Sequence, residues 1–374
     1  MWKQSWRYAK EWAICPVLFV TGIALQLIFG RVDPTLFRFP VNIICGALFL
    51  LCLFLIRFAS KRVKWLQWFW GLSAALTSMG LLLLLVMCMG LIKQMPFMVV
   101  SWPFLLFSLY LLSVLGLVIL ERLSRFTWKD TGFVLNHAGF FIAFFAALLG
   151  SSDFQRLRVS APLNFVVWQA TNEKGELVEL PAAVELKSFD IEEYPPKLMI
   201  VEHATGRALP VKRPAYVSIE ECPAETKLLD WSLKITKKQE APLSLYVMAQ
   251  NLKNGAQREG WVCCEEFLLP GLSLRLDNQV SLVMPNREPK RFISDITIYT
   301  QQGERSEVLE VNRPLSLAGW KIYQASYDAE RGKRSEYSTL EIVKDPWLPV
   351  VYIGIVMLLV GSIFLFVSAP KKET

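Results

Sequence analysis

Apolar residues in this chain gather into six long runs, and between the fifth and the sixth they thin into short alternating stretches. Five runs fall in the first 150 residues, at roughly 12–30, 39–56, 66–92, 98–120 and 131–150; the sixth occupies 347–367. Each approaches the roughly 20 helical residues that a hydrocarbon core requires. In lipid the backbone must satisfy its own hydrogen bonds, so continuous apolar runs of this length are predicted as helices. The first run is not expected to be a cleaved signal peptide, because it lacks a small-residue cleavage site and leads at once into another span. From 151 onward the period changes to two. Alternating or β-branched stretches recur at 184–189, 197–202, 215–220, 231–236, 243–250, 272–276, 280–283, 292–299, 308–312, 321–325 and 339–343. Turn formers such as Pro195-Pro196, Asn254-Gly255 and Pro285-Asn286 separate many of them. Short strands without a convincing amphipathic helix predict one antiparallel sandwich or barrel-like domain. The expected class is an α-helical membrane protein of six spans with a large all-β extracytoplasmic domain. Its expected divisions are a five-helix bundle over 1–150, the β-rich domain over 151–345, and a last helix with a short tail over 346–374.

Composition agrees with that division. The 374 residues are 53% hydrophobic and 20% charged, with mean hydropathy +0.35, which argues against a soluble enzyme. A pI near 9.0 and a net charge of +7 raise nucleic acid as a partner. Position decides against it: 1–150 holds 13 Lys/Arg and 4 Asp/Glu, whereas 151–345 holds 25 and 28. The basic excess therefore flanks the spans, and the polar domain is slightly acidic. With the N-terminus inside, the inner loops collect Lys3, Arg7, Lys10, Arg57, Lys61, Arg62, Lys64, Arg122, Arg125, Lys129, Lys371 and Lys372. The short outer loops carry only Arg31, Arg38 and Lys93. This asymmetry predicts cytoplasmic termini and an outward-facing 151–345.

Only two histidines are present. His137 lies about two turns into the fifth run, roughly 9 Å from its start. An ionisable residue at that depth is a candidate functional residue. Phe140, Phe141 and Phe144 follow at offsets of three, four and seven, so they share its helical face. Two readings are open: an axial haem ligand with an aromatic surround, or a neutral histidine making one interhelical hydrogen bond while the phenylalanines face lipid. His203 sits in a hairpin position before Ala204-Thr205-Gly206 and reads as a solvated turn residue. Cys15, Cys45, Cys52 and Cys88 fall in apolar runs as small hydrophobes. Cys222, Cys263 and Cys264 lie outside, where disulfides persist. A bridge between adjacent Cys263 and Cys264 would be strained, whereas Cys222 could pair with either and leave one thiol over. No C-x-x-C, Walker loop, G-x-G-x-x-G, G-x-S-x-G or H-E-x-x-H occurs, so no catalytic residue is assigned. Gly354 and Gly361, seven apart, share a face of the last run and would admit a neighbouring helix closely.

Several strings acquire further meaning together: VELKSFDIEEYP at 184–195, FISDITIY at 292–299, VNRPL at 311–315, GWKIYQASY at 319–327 and LEIVKDP at 340–346. Their order and their membrane setting resemble the ResB family, the membrane subunit of system II cytochrome c maturation. The resemblance spans roughly 130–368. It implies that His137, within LNHAG at 135–139, helps bind haem b in the membrane, with Phe140, Phe141 and Phe144 as its surround. It also implies a CcsA-type partner that supplies the second axial ligand and presents haem to apocytochrome c. The chain lacks the tryptophan-rich segment of that partner, so it resembles the ResB half alone, in a bacterial cytoplasmic membrane. It departs from the typical pattern by having five spans, rather than three, ahead of the outer domain. Alternatives are a scaffold that binds apocytochrome without haem, a thiol reductant built on Cys222, Cys263 and Cys264, and an unrelated six-span receptor.

Overall fold

The computed structural model describes residues 14–63, 71–91, 99–219, 225–240, 243–265 and 270–367. Two compact units emerge, one from residues 1–155 and 343–374 and the other from 156–342.

The first unit is helical. Its elements are α1 (Ile14–Phe29), α2 (Val41–Ala59), α3 (Leu72–Leu91), α4 (Trp102–Leu123), α5 (Thr131–Gly150) and α6 (Leu348–Val367). Five described helices are long and apolar enough to cross a membrane, and α1 is a shorter apolar helix. The start of the first expected span lies outside the described residues, as do Lys3, Arg7, Lys10, Lys64, Lys93, Lys371 and Lys372. Large apolar side chains stay uncovered on the helix surfaces, with Phe366 86% and Leu27 81% exposed. Such a surface suits hydrocarbon and would aggregate in water.

Helix α4 is the hub of this unit. Ser101 caps it, its Oγ accepting from the Phe104 amide at 3.3 Å, and Phe107, Leu111, Leu112, Val114 and Leu117 are buried along its length. Close approach to α2 depends on Gly116, where a Cβ would meet Leu53 Cδ1 at 2.6 Å. Two polar clusters mark opposite ends of the unit. At one, Arg57 at the end of α2 reaches Glu121 at 2.8 Å and Ser124 at 2.9 Å at the end of α4. At the other, Asp153 just beyond α5 accepts from the Phe39 amide at 2.9 Å, Asn42 Nδ2 at 2.7 Å and Trp347 Nε1 at 2.8 Å. These contacts set α2, α4 and α6 parallel to one another and α5 antiparallel to them.

Partial burial alone would push the Asp153 carboxyl upward; its three hydrogen bonds and Arg38 outweigh that and hold it below 3.8. A depressed carboxylate contributes stability above its unfolded value that is lost as pH falls through the folded one. The stability difference between wild type and Asp153→Ala in detergent should therefore be constant from pH 7 down to about 5 and should shrink below about 4. A difference that persists unchanged at pH 3 would contradict this role.

The second unit is β. An eight-stranded sheet runs in the order β13-β12-β3-β2-β1-β16-β15-β14. Its strands are β1 (Gln155–Pro162), β2 (Val166–Asn172), β3 (Leu177–Glu193), β12 (Pro289–Thr300), β13 (Gly303–Glu310), β14 (Leu315–Leu317), β15 (Trp320–Tyr327) and β16 (Tyr337–Lys344). Contact between β13 and β15 shows that the sheet curls toward a barrel around Val159, Leu186, Ile296, Leu309, Ile322 and Leu340. Two four-stranded sheets follow. One contains β4 (Lys197–Glu202), β5 (Tyr216–Ser218), β10 (Leu274–Arg275) and β11 (Val280–Val283). The other contains β6 (Glu225–Leu228), β7 (Trp231–Glu240), β8 (Leu243–Asn251) and β9 (Gln257–Cys263). They share a second core of Leu198, Ile200, Trp231, Leu233, Leu245, Val247 and Leu282. The single sandwich or barrel expected from sequence is thus a curled sheet and a sandwich, each with its own core.

The eleven expected stretches all carry strands, and β1, β2, β6, β9 and β14 are additional. The stretch expected at 308–312 ends at Glu310, because Asn312 adopts φ 66° and the Arg313 amide donates back to the Glu310 carbonyl at 3.1 Å. Left-handed backbone of this kind closes a turn and cannot continue a strand.

The five quoted strings largely explain the first core. Tyr327 lies 5.2 Å from Phe189 and 5.2 Å from Phe292, ring centre to ring centre. Tyr299 donates to Glu185, which also accepts from Lys187 at 2.7 Å; the bonds from Lys187 and Tyr299 hold that carboxyl below its ordinary range. Ser294, Gln324 and Ser338 form a buried network, with Ser294 Oγ donating to Gln324 Oε1 at 2.6 Å and Gln324 Nε2 donating to Ser338 Oγ at 2.7 Å. Removing the amide leaves the two buried hydroxyls only their mutual contact at 3.3 Å, so Gln324→Ala should cost about 2 kcal/mol. Thermal unfolding of the full chain in detergent, read by loss of sheet circular dichroism, checks this; an unchanged transition would contradict it.

Candidate functional site

Helix α5 carries the candidate residues on two packed faces and one open stripe. Gly132, Asn136, Gly139 and Ala143 face α6, where Gly354 and Gly361 let the backbones meet. A Cβ on Gly139 would lie 2.6 Å from the Gly354 carbonyl oxygen, and one on Gly354 would lie 2.7 Å from the Gly139 oxygen. Asn136 Nδ2 locks this antiparallel pair by donating to Ser362 Oγ at 2.7 Å and to the Leu358 carbonyl at 3.3 Å. On the second face, Phe141 packs against Gly116 of α4 and stacks on Phe145 at 5.4 Å, and Phe145 stacks on Phe49 of α2 at 5.6 Å.

His137 lies between those faces, half-buried. Its Nδ1 is 2.9 Å from the Phe133 carbonyl oxygen. A carbonyl only accepts, so the proton is on Nδ1 and the Nε2 lone pair is left available. Phe133 also supplies the aromatic surface: its ring stacks on the imidazole at 3.8 Å with a 23° interplanar angle. Phe140, 38% exposed, stacks in turn on Phe144 at 6.0 Å. The expected surround is therefore divided. Phe140 and Phe144 continue the open stripe beyond the histidine, Phe141 is committed to interhelical packing, and Phe133 is the ring in contact. On a helix the residue at i−4 is as near a neighbour as those at i+3 and i+4, and offsets counted only forward from His137 pass over it. The backward offset of four was the signal for Phe133 in the sequence.

The donor set suits one axial position of a haem. A neutral imidazole whose Nδ1–H is bonded to a carbonyl presents Nε2 in a fixed orientation and with raised basicity. Among the described residues no cluster of three or more His, Cys, Asp or Glu could cage a metal ion directly. A cavity of about 190 Å³ lies elsewhere in the helical unit, lined by Asn42, Cys45, Phe49, Phe145 and Leu149. It does not include His137 and falls below the roughly 300 Å³ at which ordinary ligand pockets begin.

Outside the spans, His203 commits both ring nitrogens, Nδ1 at 3.2 Å to the Asn278 carbonyl and Nε2 at 2.7 Å to Ser281 Oγ. It is an exposed turn histidine tied to β11. Cys263 and Cys264 are buried, and the Leu272 amide points at Cys263 Sγ at 3.3 Å. Cys222 lies outside the described residues.

The β unit supplies the comparison that bears on identity. Residues 236–335 match the ResB-like family. No curated protein matches the chain. The ResB-like stretch runs from within β7 past β15, and so takes in part of each core of the β unit while covering well under half of the 374 residues. The strings at 292–299, 311–315 and 319–327 fall inside it; 184–195, 340–346 and the His137 segment fall outside. A ResB-like match points in general to cytochrome c biogenesis at a membrane, in keeping with the apolar helices of the first unit.

Proposed function

We propose that this chain is a membrane subunit of the system II cytochrome c maturation complex, helping to carry haem across the membrane and deliver it to apocytochrome c. The observation that carries the proposal is the ResB-like match over 236–335. His137 supports the haem role, because its Nδ1–H is bonded to the Phe133 carbonyl and Nε2 is left as a ligand. Bound haem would supply the iron and the vinyl groups for thioether formation. The chain itself contributes one axial imidazole, an aromatic wall of Phe133 and the Phe140–Phe144 pair, and a helix held rigid against α6. A CcsA-type partner supplies the second axial ligand and presents haem to the cysteines of apocytochrome c. This subunit has no ligase activity alone; the complex has it.

The charge asymmetry supports cytoplasmic termini and a periplasmic β domain in a bacterial inner membrane. In that placement His137 stands nearer the cytoplasmic side, where haem would enter. Cys263 and Cys264 are buried, whereas a thiol relay needs accessible thiolates, so they give no support to that role.

Replacing the endogenous ResB-type subunit of a system II host with this chain tests the proposal. Covalent haem in periplasmic cytochrome c, read by haem staining of a denaturing gel, should return when the CcsA-type partner is co-expressed. No covalent haem despite normal levels of both subunits would contradict it.

A further inference from the structure

One cation stands against the His137 column. Arg122, at the end of α4, places its guanidinium carbon 5.0 Å from the centre of the Phe133 ring. The same ring stacks on the His137 imidazole at 3.8 Å, so arginine, phenylalanine and histidine form one continuous column. Asp130 steadies the arginine through Nε at 3.2 Å. The two terminal nitrogens have no partner among the described residues, and the side chain is 53% exposed. Arg57 differs: its NH2 group is committed to both Glu121 and Ser124.

An arginine that stacks on an aromatic face and is held through Nε presents its remaining N–H groups as a fork, the geometry that matches a carboxylate. Near the hydrocarbon region a charged ligand group needs such a partner, because an unpaired carboxylate there is costly. We propose that Arg122 is the carboxylate-binding residue of the His137 site, receiving a propionate of the porphyrin that His137 ligates, and that Phe133 is a positioning residue for both. The inference rests on the haem-ligand reading of His137. It adds a selection rule: the site prefers a porphyrin with free carboxylates to one whose carboxylates are masked. Phe133 serves the column twice, its carbonyl accepting from His137 Nδ1 and its ring touching both the guanidinium and the imidazole.

The test uses the full chain purified with its CcsA-type partner, stripped of haem and titrated with haem or with its dimethyl ester, affinity being read from the Soret band. Arg122→Gln should weaken haem binding about tenfold while leaving the uncharged ester within about twofold, as expected when one charge-assisted pair is lost. Arg122→Lys should fall between wild type and Arg122→Gln for haem. Retained ester binding shows that the variant is folded. Equal weakening of both porphyrins by Arg122→Gln, or of neither, would overturn the inference. His137→Ala included in the same series keeps the two levels apart. If it leaves binding of both porphyrins unchanged, the haem-ligand reading itself fails; if it lowers both while Arg122→Gln does not discriminate, only the Arg122 assignment fails.

Discussion

Gly139→Leu is expected to remove most of the folded, extractable protein, whereas Gly80→Leu leaves it near wild-type level. Both glycines lie within membrane-type helices, but a Cβ at Gly80 meets nothing within 4 Å, while one at Gly139 runs into the Leu358 backbone and the Gly354 oxygen. Backbone cannot step aside as a flexible side chain can, so the helices must separate. In lipid no hydrophobic force reassembles them, because hydrocarbon tails are as apolar as leucine, and close packing with interhelical hydrogen bonds is what joins them. Separation also strands Asn136, whose amide bonds to Ser362 and Leu358. Overpacking alone costs about 1–3 kcal/mol; with the lost bonds, Gly139→Leu should exceed the upper figure. Gly354→Leu and Gly361→Leu should behave alike, and Gly90→Leu should behave like Gly80→Leu. Fluorescence-detected size exclusion after mild extraction distinguishes the two groups. Equal, near-normal peaks for Gly139→Leu and Gly80→Leu would show that the α5–α6 seam does not hold the unit together.

His137→Ala should lower cytochrome c maturation by about ten- to hundredfold, the range typical when the ligation of a metal site is disturbed. Subunit levels should stay normal, because the imidazole is half-buried and, among the described residues, bonds only within its own helix, to Phe133. That separation of activity from abundance marks a functional residue. The glycines of the same helix are expected to lower both together. Haem-stained cytochrome c normalised to subunit abundance gives the readout, and undiminished maturation by His137→Ala would assign haem ligation wholly to the partner.

Much of this molecule was legible in the sequence where a single residue property sufficed. The apolar runs at 39–56, 131–150 and 347–367 lie close to α2, α5 and α6 because hydropathy alone specifies a spanning helix. Strands with strong alternation, such as β4 and β11, coincide with their expected stretches. Polar β9, with Gln257, Arg258, Glu259 and Gly260 in succession, carries little apolar signal to read, and β14 has only three residues. Closure of the curled sheet depends on β3 pairing with β12 about a hundred residues away, where Phe292 meets Ile191 and Ile298 meets Val184, and no local pattern encodes such a pairing. The small-residue face of α6 was visible as Gly354 and Gly361. Its complement, Gly132 and Gly139 at the same spacing, became meaningful only once α5 and α6 were seen side by side. At the site, residue type and depth picked out His137, but forward helical offsets placed the aromatic surround on Phe140, Phe141 and Phe144. The structure puts Phe133 on the imidazole and Arg122 on Phe133; the first stands at the same spacing counted backward, and the second comes from the neighbouring helix, which spacing within one helix does not reach.

The most direct test of the central claim is the absorption spectrum of the chain co-purified with its CcsA-type partner, comparing wild type, His137→Ala and His137→Gly, the last with and without added imidazole. Haem present in wild type, depleted in both variants and restored to the glycine variant by imidazole is the predicted result, since exogenous imidazole would fill the cavity left beside Phe133 and supply the missing nitrogen. A haem spectrum identical in all four samples would contradict it and make this chain a scaffold for a haem held by the partner.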